Sequence, residues 1–138
     1  MTGFAALRLA LVLFALAAPV AEAQSRLSPE AFEALATGRS LHFTLNGEPF
    51  GAEQFFAGRR SLWRYSDNVC QQGEWRGEGD AICFDYAGEP APICWHFIET
   101  DGRHAAVLLE NGVETGFRLD LDRIDTEPLP CPGPRIGS

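Results

Sequence analysis

Residues 93–110 of this chain read ICWHFIETDGRHAAVLLE. Apolar and polar side chains alternate on both sides of Asp101-Gly102, a dipeptide that favours a two-residue hairpin turn. A turn centred on that dipeptide fixes the register of the flanking strands. The pairs that it sets opposite each other are Trp95 with Leu108, Phe97 with Ala106, and Glu99 with His104. The stretch therefore predicts two antiparallel strands whose apolar side chains share one face of a sheet.

Similar turn sequences recur about every eight to twelve residues between position 40 and position 124, as in an all-β meander. The predicted strands cover residues 41–45, 50–56, 61–65, 72–76, 81–86, 93–99, 104–110 and 115–124. We predict a mainly β fold, an antiparallel up-and-down meander. Its roughly eight strands would form a small barrel or a strongly curved sheet.

Two further Asn-Gly dipeptides, at positions 46–47 and 111–112, predict hairpins with defined registers. The first sets Phe43 opposite Phe50 and Leu41 opposite Ala52. The second sets Ala106 opposite Phe117 and Leu108 opposite Thr115. Because the turns agree on one apolar face, they support each other as evidence for a common interior.

A short helix, at about residues 28–37, precedes the meander. Ser28 is a suitable N-cap, Pro29 fits the first helical position, and Gly38 can end the helix. Leu27 and Phe32 have the spacing of a hydrophobic staple. We expect the apolar face of this helix to lie on the sheet.

The first 23 residues have the pattern of a signal peptide. Arg8 precedes the apolar run LALVLFALAA, which is too short to span a bilayer, and Ala21-Glu22-Ala23 matches a cleavage site before Gln24. An uncleaved membrane anchor is the alternative. Residues 24–138 then form a single β-rich domain with a proline-rich tail at 128–138, and no transmembrane segment is expected in the mature protein.

The chain has four cysteines, all after the predicted cleavage site: Cys70, Cys83, Cys94 and Cys131. An even number in an exported chain predicts two disulfides, whereas a zinc site would require closer pairs. Strand parity places Cys83 opposite Cys94, which leaves Cys70 to join Cys131. Four cysteines allow three connectivities, and the sequence leaves the other two open.

The formal net charge is −8, and all eleven basic residues are arginines. This charge argues against nucleic acid or an anionic membrane surface as a partner. The arginine bias is typical of a GC-rich bacterial genome. The predicted location is the periplasm or the exterior of a bacterium.

The segments GEW at 73–75, CFDY at 83–86 and CW at 94–95 match a G-x-W…C-F-x-Y…C-W pattern. In this pattern the chain resembles a family of small exported bacterial proteins grouped as a domain of unknown function. More loosely, it is similar to the meander of lipocalin-like and avidin-like barrels. The resemblance covers roughly residues 38–97 and implies a fold and a compartment, without any catalytic residue.

Four residues are candidates for binding a ligand. Glu99 faces His104 across the predicted hairpin, and such a pair could capture a ligand or transfer a proton. The alternative is a simple cross-strand ion pair. Trp63 and Arg64, with Tyr65 beside them on a strand that follows Arg59-Arg60, could form an aromatic and cationic patch that binds an anionic or sugar-like ligand. The alternative is a core strand with a solvated arginine. The other histidines, His42 and His96, are predicted on the solvated face.

The chain contains no recognisable catalytic motif, and the sequence predicts no enzyme, cofactor or metal. We expect an exported, noncatalytic binding or inhibitor-type module for an unknown small molecule, glycan or envelope protein. Two alternatives stay open. One is a small hydrolase or isomerase that uses Glu99 and His104, and the other is a structural envelope protein. The sequence does not define the oligomeric state.

Overall fold

The computed structural model describes residues 17–19 and 24–132. Nine strands and one helix follow one another in that part of the chain. Their bounds are β1 Ser25–Arg26, α1 Pro29–Ala36, β2 Ser40–Leu45, β3 Glu48–Phe56, β4 Arg60–Tyr65, β5 Cys70–Glu78, β6 Ala81–Tyr86, β7 Ile93–Thr100, β8 Arg103–Glu110 and β9 Val113–Asp125. The predicted cleavage site and nearly all of the predicted signal peptide lie outside the described residues, as does the end of the tail. No helix among the described residues has both the length and the apolar character needed to cross a membrane.

Strands β2 to β9 form a closed barrel of eight antiparallel strands. Each strand pairs with the next along the chain, and β9 pairs back with β2. The predicted fold class is confirmed, and the pairing of β9 with β2 decides between a barrel and an open sheet. Strand β1 was not predicted from the sequence. Its two residues extend the sheet beside β7, where Ser25 faces Glu99, and two residues are too few to show a periodic pattern.

Helix α1 covers the end of the barrel at which β2 begins. The Ser28 hydroxyl accepts a hydrogen bond from the backbone N–H of Ala31 at 3.1 Å, which confirms the predicted N-cap. Phe32 is fully buried, and its ring lies 4.3–6.4 Å from four other aromatic rings, those of Phe55, Trp75, Phe84 and Phe97. This end of the barrel is therefore filled by side chains.

The predicted registers hold for β6, β7 and β8. Cys83 faces Cys94, Phe97 faces Ala106, and Glu99 faces His104. No β-bulge interrupts the pairing of β6 with β7 or of β7 with β8. Turn geometry and strand parity therefore fix both registers.

Two predicted registers are wrong because β-bulges interrupt the ladders. On β3 the register shifts at Phe50, so that Phe43 faces Gly51 instead of Phe50, and Leu41 faces Glu53 instead of Ala52. On β9 a shift sets Ala106 opposite Leu119 instead of Phe117; Leu108, expected opposite Thr115, lies within that irregularity. A bulge inserts an extra residue into one strand, and the turn sequence does not encode it.

Both predicted disulfides are present. Cys83 is bonded to Cys94 across β6 and β7, and Cys70 is bonded to Cys131 in the tail. The tail is also held by Leu129, which is buried and whose backbone N–H donates a 2.9 Å hydrogen bond to the Gln54 side chain. Two disulfides are typical of a protein in a non-reducing, exported environment.

Candidate functional site

A cavity of about 240 Å³ lies inside the barrel. Its walls are mostly aromatic, and the residues that line it come from seven strands, β2 to β4 and β6 to β9. They are Phe43, Phe50, Glu53, Trp63, Tyr65, Phe84, Tyr86, Ile93, Trp95, Phe97, Ala106, Leu108, Phe117 and Leu119. Several of them, including Phe50, Tyr65 and Trp95, are partly exposed at the end opposite to α1. An apolar, concave lining with a few polar groups is typical of a small-molecule site.

Glu53 is the one charged residue in this lining, and it is only 4% exposed. The bulge at Phe50 places it there. With Leu41 and Trp63 as its cross-strand neighbours, Glu53 shares the inner face with two buried apolar side chains. No basic side chain lines the cavity in the part of the chain that the structure describes.

Burial raises the pKa of the Glu53 carboxyl from 4.5 to about 7, because the charged form loses its hydration. The nearby hydroxyls of Tyr86 and Ser61 oppose this rise in pKa without cancelling it. Tyr86 donates a 2.7 Å hydrogen bond to Oε1 of Glu53. The Ser61 hydroxyl is buried and makes no hydrogen bond of ordinary geometry. Glu53 can therefore change its protonation state near neutral pH.

Glycines on the inner face make room for the large side chains. A Cβ atom on Gly51 would lie 2.4 Å from the Trp63 indole, and one on Gly73 would lie 2.8 Å from the Tyr86 ring. Any larger residue would push these rings away from their positions. The positions of Trp63, a cross-strand neighbour of Glu53, and of Tyr86, its hydrogen-bond donor, thus depend on glycine.

Polar and acidic side chains surround the open end of the cavity. The Tyr65 hydroxyl donates a 3.2 Å hydrogen bond to the Gln71 side chain, which in turn donates one to Glu89 at 3.2 Å. Burial raises the pKa of Tyr65, and the negative charges of Glu89 and Asp67 raise it further. The entrance therefore has a negative local potential.

The structure separates the residues that the sequence analysis suggested for ligand binding. Trp63 lies in the cavity wall and is 8% exposed. Arg64, the next residue, points to the outer surface and contacts Asn68. It lines an outer groove together with His42 and does not line the cavity. The two residues do not form a single patch, because neighbours on a strand point to opposite faces.

Glu99 and His104 lie together, as predicted, with Oε2 of Glu99 at 3.7 Å from Nε2 of His104. They are located at the end of the barrel that α1 covers, near β1. Neither residue belongs to the cavity lining. The pair is thus separate from the candidate ligand site.

His96 was expected on the solvated face, and this expectation is wrong. The residue does point outward, but it is only 7% exposed beneath Asp80 and Glu114. Its Nδ1 lies 2.6 Å from Glu114, and this hydrogen bond lowers the pKa of that carboxyl. Arg26 of β1 forms ion pairs with both Asp80 and Glu114. The unpredicted strand β1 thus helps to hold the two carboxylates over His96.

Glu53 and Tyr86 were missed as functional residues by sequence reasoning. In the predicted register Ala52 faced the interior, which left Glu53 on the wet face. Tyr65 was placed beside Trp63 in the predicted patch and Tyr86 was recognised as a strand residue, but nothing in the spacing of the two tyrosines indicated a shared cavity. The sequence signal that could have indicated a buried carboxylate is the position of Glu53 between Phe50 and Phe55-Phe56.

Comparisons with protein-family models, with curated proteins and with solved structures found no match to this chain. The resemblance to small exported bacterial proteins stays a prediction.

Proposed function

We propose that this chain is an exported, noncatalytic binding protein that encloses a small, largely apolar molecule within its barrel. The observation that supports this proposal is the aromatic cavity of about 240 Å³, with Glu53 as its buried polar group. Burial of a carboxylate in apolar surroundings is costly to stability and is typical of functional sites. The predicted periplasmic or secreted location belongs to this proposal.

Two features of the cavity fit reversible capture of a small molecule. One end of the barrel is filled by α1, so entry is from the opposite end, where the aromatic side chains are partly exposed. Aromatic rings offer a large apolar contact area to a flat or compact ligand.

The alternatives from the sequence have weaker support. Glu99 and His104 are 3.7 Å apart but lie away from the cavity, so they do not share a cleft with its lining. For a structural envelope protein we would look for a large apolar patch. Among the described residues, Val69 and Val113 are the large apolar side chains that are exposed. Two exposed valines do not amount to such a patch.

A titration of the purified protein with three small aromatic probes tests the proposal. The probes are indole, 2-phenylethanol and 2-phenylethylamine, and binding is followed by tryptophan fluorescence and by NMR chemical shifts. We expect saturable 1:1 binding of at least one probe. In Leu108→Trp a larger side chain fills part of the cavity, and binding should weaken at least about tenfold.

The matched control is Val113→Trp, which adds the same residue at a position that is 68% exposed. This variant should bind the probe as the wild type does. Failure of all three probes to bind the wild type, or equal binding by Leu108→Trp, would overturn the proposal.

A further inference from the structure

We propose that the cavity selects an organic ammonium ion, with Glu53 as the counter-ion and the surrounding aromatic rings as the walls. This inference rests on the proposed function, because it specifies the chemical class of the ligand in the same cavity. It follows from the charges inside the barrel, from the arrangement of the rings and from the charge of the whole protein.

Glu53 is a buried carboxyl group in the cavity wall. A carboxylate removed from water is stabilised by a nearby cation, and no basic side chain lines this cavity within residues 24–132. The single hydrogen bond from Tyr86 satisfies Oε1 but adds no positive charge. A bound ammonium group would supply both the charge and the missing N–H donors.

Aromatic rings form most of the cavity wall. The rings of Trp63 and Tyr65 meet edge to face at 5.5 Å, and Phe84 and Tyr86 stack at 5.7 Å. The faces of such rings attract a cation that lies within about 6 Å. A cavity that combines aromatic walls with one carboxylate favours a cation with an apolar body over an anion or a sugar.

The long-range electrostatic field of the protein also favours a cationic ligand. The chain has a formal net charge of −8, and Glu89 and Asp67 lie near Tyr65 at the entrance. Both features draw cations toward the cavity and repel anions. This is the opposite of the anionic ligand considered for Trp63 and Arg64, because Arg64 lies outside the cavity.

The test compares 2-phenylethylamine with its neutral isostere 2-phenylethanol, on the wild type and on Glu53→Gln. The amine should bind the wild type at least about tenfold more tightly than the alcohol at pH 8. Glu53→Gln should weaken amine binding by at least about tenfold and change alcohol binding by less than about threefold. Glu48→Gln removes the same charge from an exposed position on the same strand and should leave both affinities unchanged.

Proton linkage in the wild type gives a second measurement that does not depend on the folding of a variant. With the pKa of Glu53 at about 7, amine binding should release protons at neutral pH, and the affinity should rise about tenfold from pH 6 to pH 8. The other titratable side chains in the lining are Tyr65 on β4 and Tyr86 on β6. Their pKa values are raised above 10, so both stay neutral over this range. Calorimetry in two buffers with different ionisation enthalpies measures the proton release.

The outcomes separate the two proposals. Equal binding of amine and alcohol, an unchanged amine affinity in Glu53→Gln, or the absence of proton release would overturn the ammonium proposal while the cavity remained a binding site. If indole or 2-phenylethanol bound but 2-phenylethylamine did not, the ammonium proposal would likewise be overturned and the cavity would still be a binding site. If none of the probes binds the wild type, both proposals fail.

Discussion

The hydroxyl of Tyr86 on β6 lies 2.7 Å from the Glu53 carboxylate on β3, inside the barrel. The two residues are 33 positions apart in the sequence. The hydrogen bond joins two strands that are not neighbours in the sheet, since β4 and β5 lie between them. It therefore spans the interior of the barrel and fixes the orientation of the carboxylate. Four predictions follow from this interior and from the contacts that enclose it.

Replacement of Glu53 by glutamine should remove a pH dependence of stability. The pKa of Glu53 is about 7 in the folded protein, against an ordinary value of 4.5, so the folded state holds this proton more tightly. The free energy of unfolding of the wild type should fall as the pH rises from 4.5 to 7, by about 3 kcal/mol from this group. Glu53→Gln should be the more stable protein at pH 8 by about that amount, and its advantage should vanish near pH 4.5.

Urea unfolding of both proteins at pH 4.5 and pH 8 measures this difference. Glu48→Gln, at an exposed position, is the control and should follow the wild type. An equal difference between Glu53→Gln and wild type at the two pH values would show that Glu53 is not buried as described.

Tyr86→Phe should destabilise the protein more at pH 8 than at pH 5. The variant removes the donor to Glu53 but keeps the ring that stacks on Phe84. We expect a loss of about 2 kcal/mol when the carboxylate is charged and about 1 kcal/mol when it is neutral. Urea unfolding at the two pH values measures both losses. Tyr65→Phe removes a longer hydrogen bond near the entrance and should cost less; a larger loss for Tyr65→Phe would contradict the ranking.

Phe32→Ala should reduce the free energy of unfolding by about 4 kcal/mol, because it empties a fully buried position among four aromatic rings. The substitution also opens space between α1 and the barrel. Thermal and urea unfolding measure the loss of stability. Ala31→Gly is a control on the same helix at an exposed position and should cost only about 1 kcal/mol. A similar loss for both variants would mean that the helix does not fill the end of the barrel.

Removal of the disulfide between Cys70 and Cys131 should cost more stability than removal of the one between Cys83 and Cys94. The sequence separations are 61 and 11, so the first crosslink restricts the unfolded chain more strongly. Loop entropy predicts losses of about 4 and about 3 kcal/mol for the paired Cys→Ser variants. Loss of the first also frees Leu129 and the tail from β3. Urea unfolding of the two double variants gives the order, and the reverse order would contradict the prediction.

Much of the fold could be predicted from the sequence because its determinants are local. Asp101-Gly102 and the alternation on either side fix the register of β7 on β8, and the same parity placed Cys83 opposite Cys94. Ser28 and Pro29 mark the start of α1. Hairpin turns and helix caps act over a few residues, so their effect is legible in a short stretch of sequence.

The candidate site was decided by contacts between strands that the sequence does not reveal. The bulge at Phe50 turns Glu53 inward, and the missing side chain of Gly51 admits the Trp63 indole beside it. A strand alternates its faces at every residue, so one inserted residue exchanges the inner and outer sets beyond it. Whether that insertion is favourable depends on how the rings pack once the barrel has closed, and only the tertiary structure contains this information.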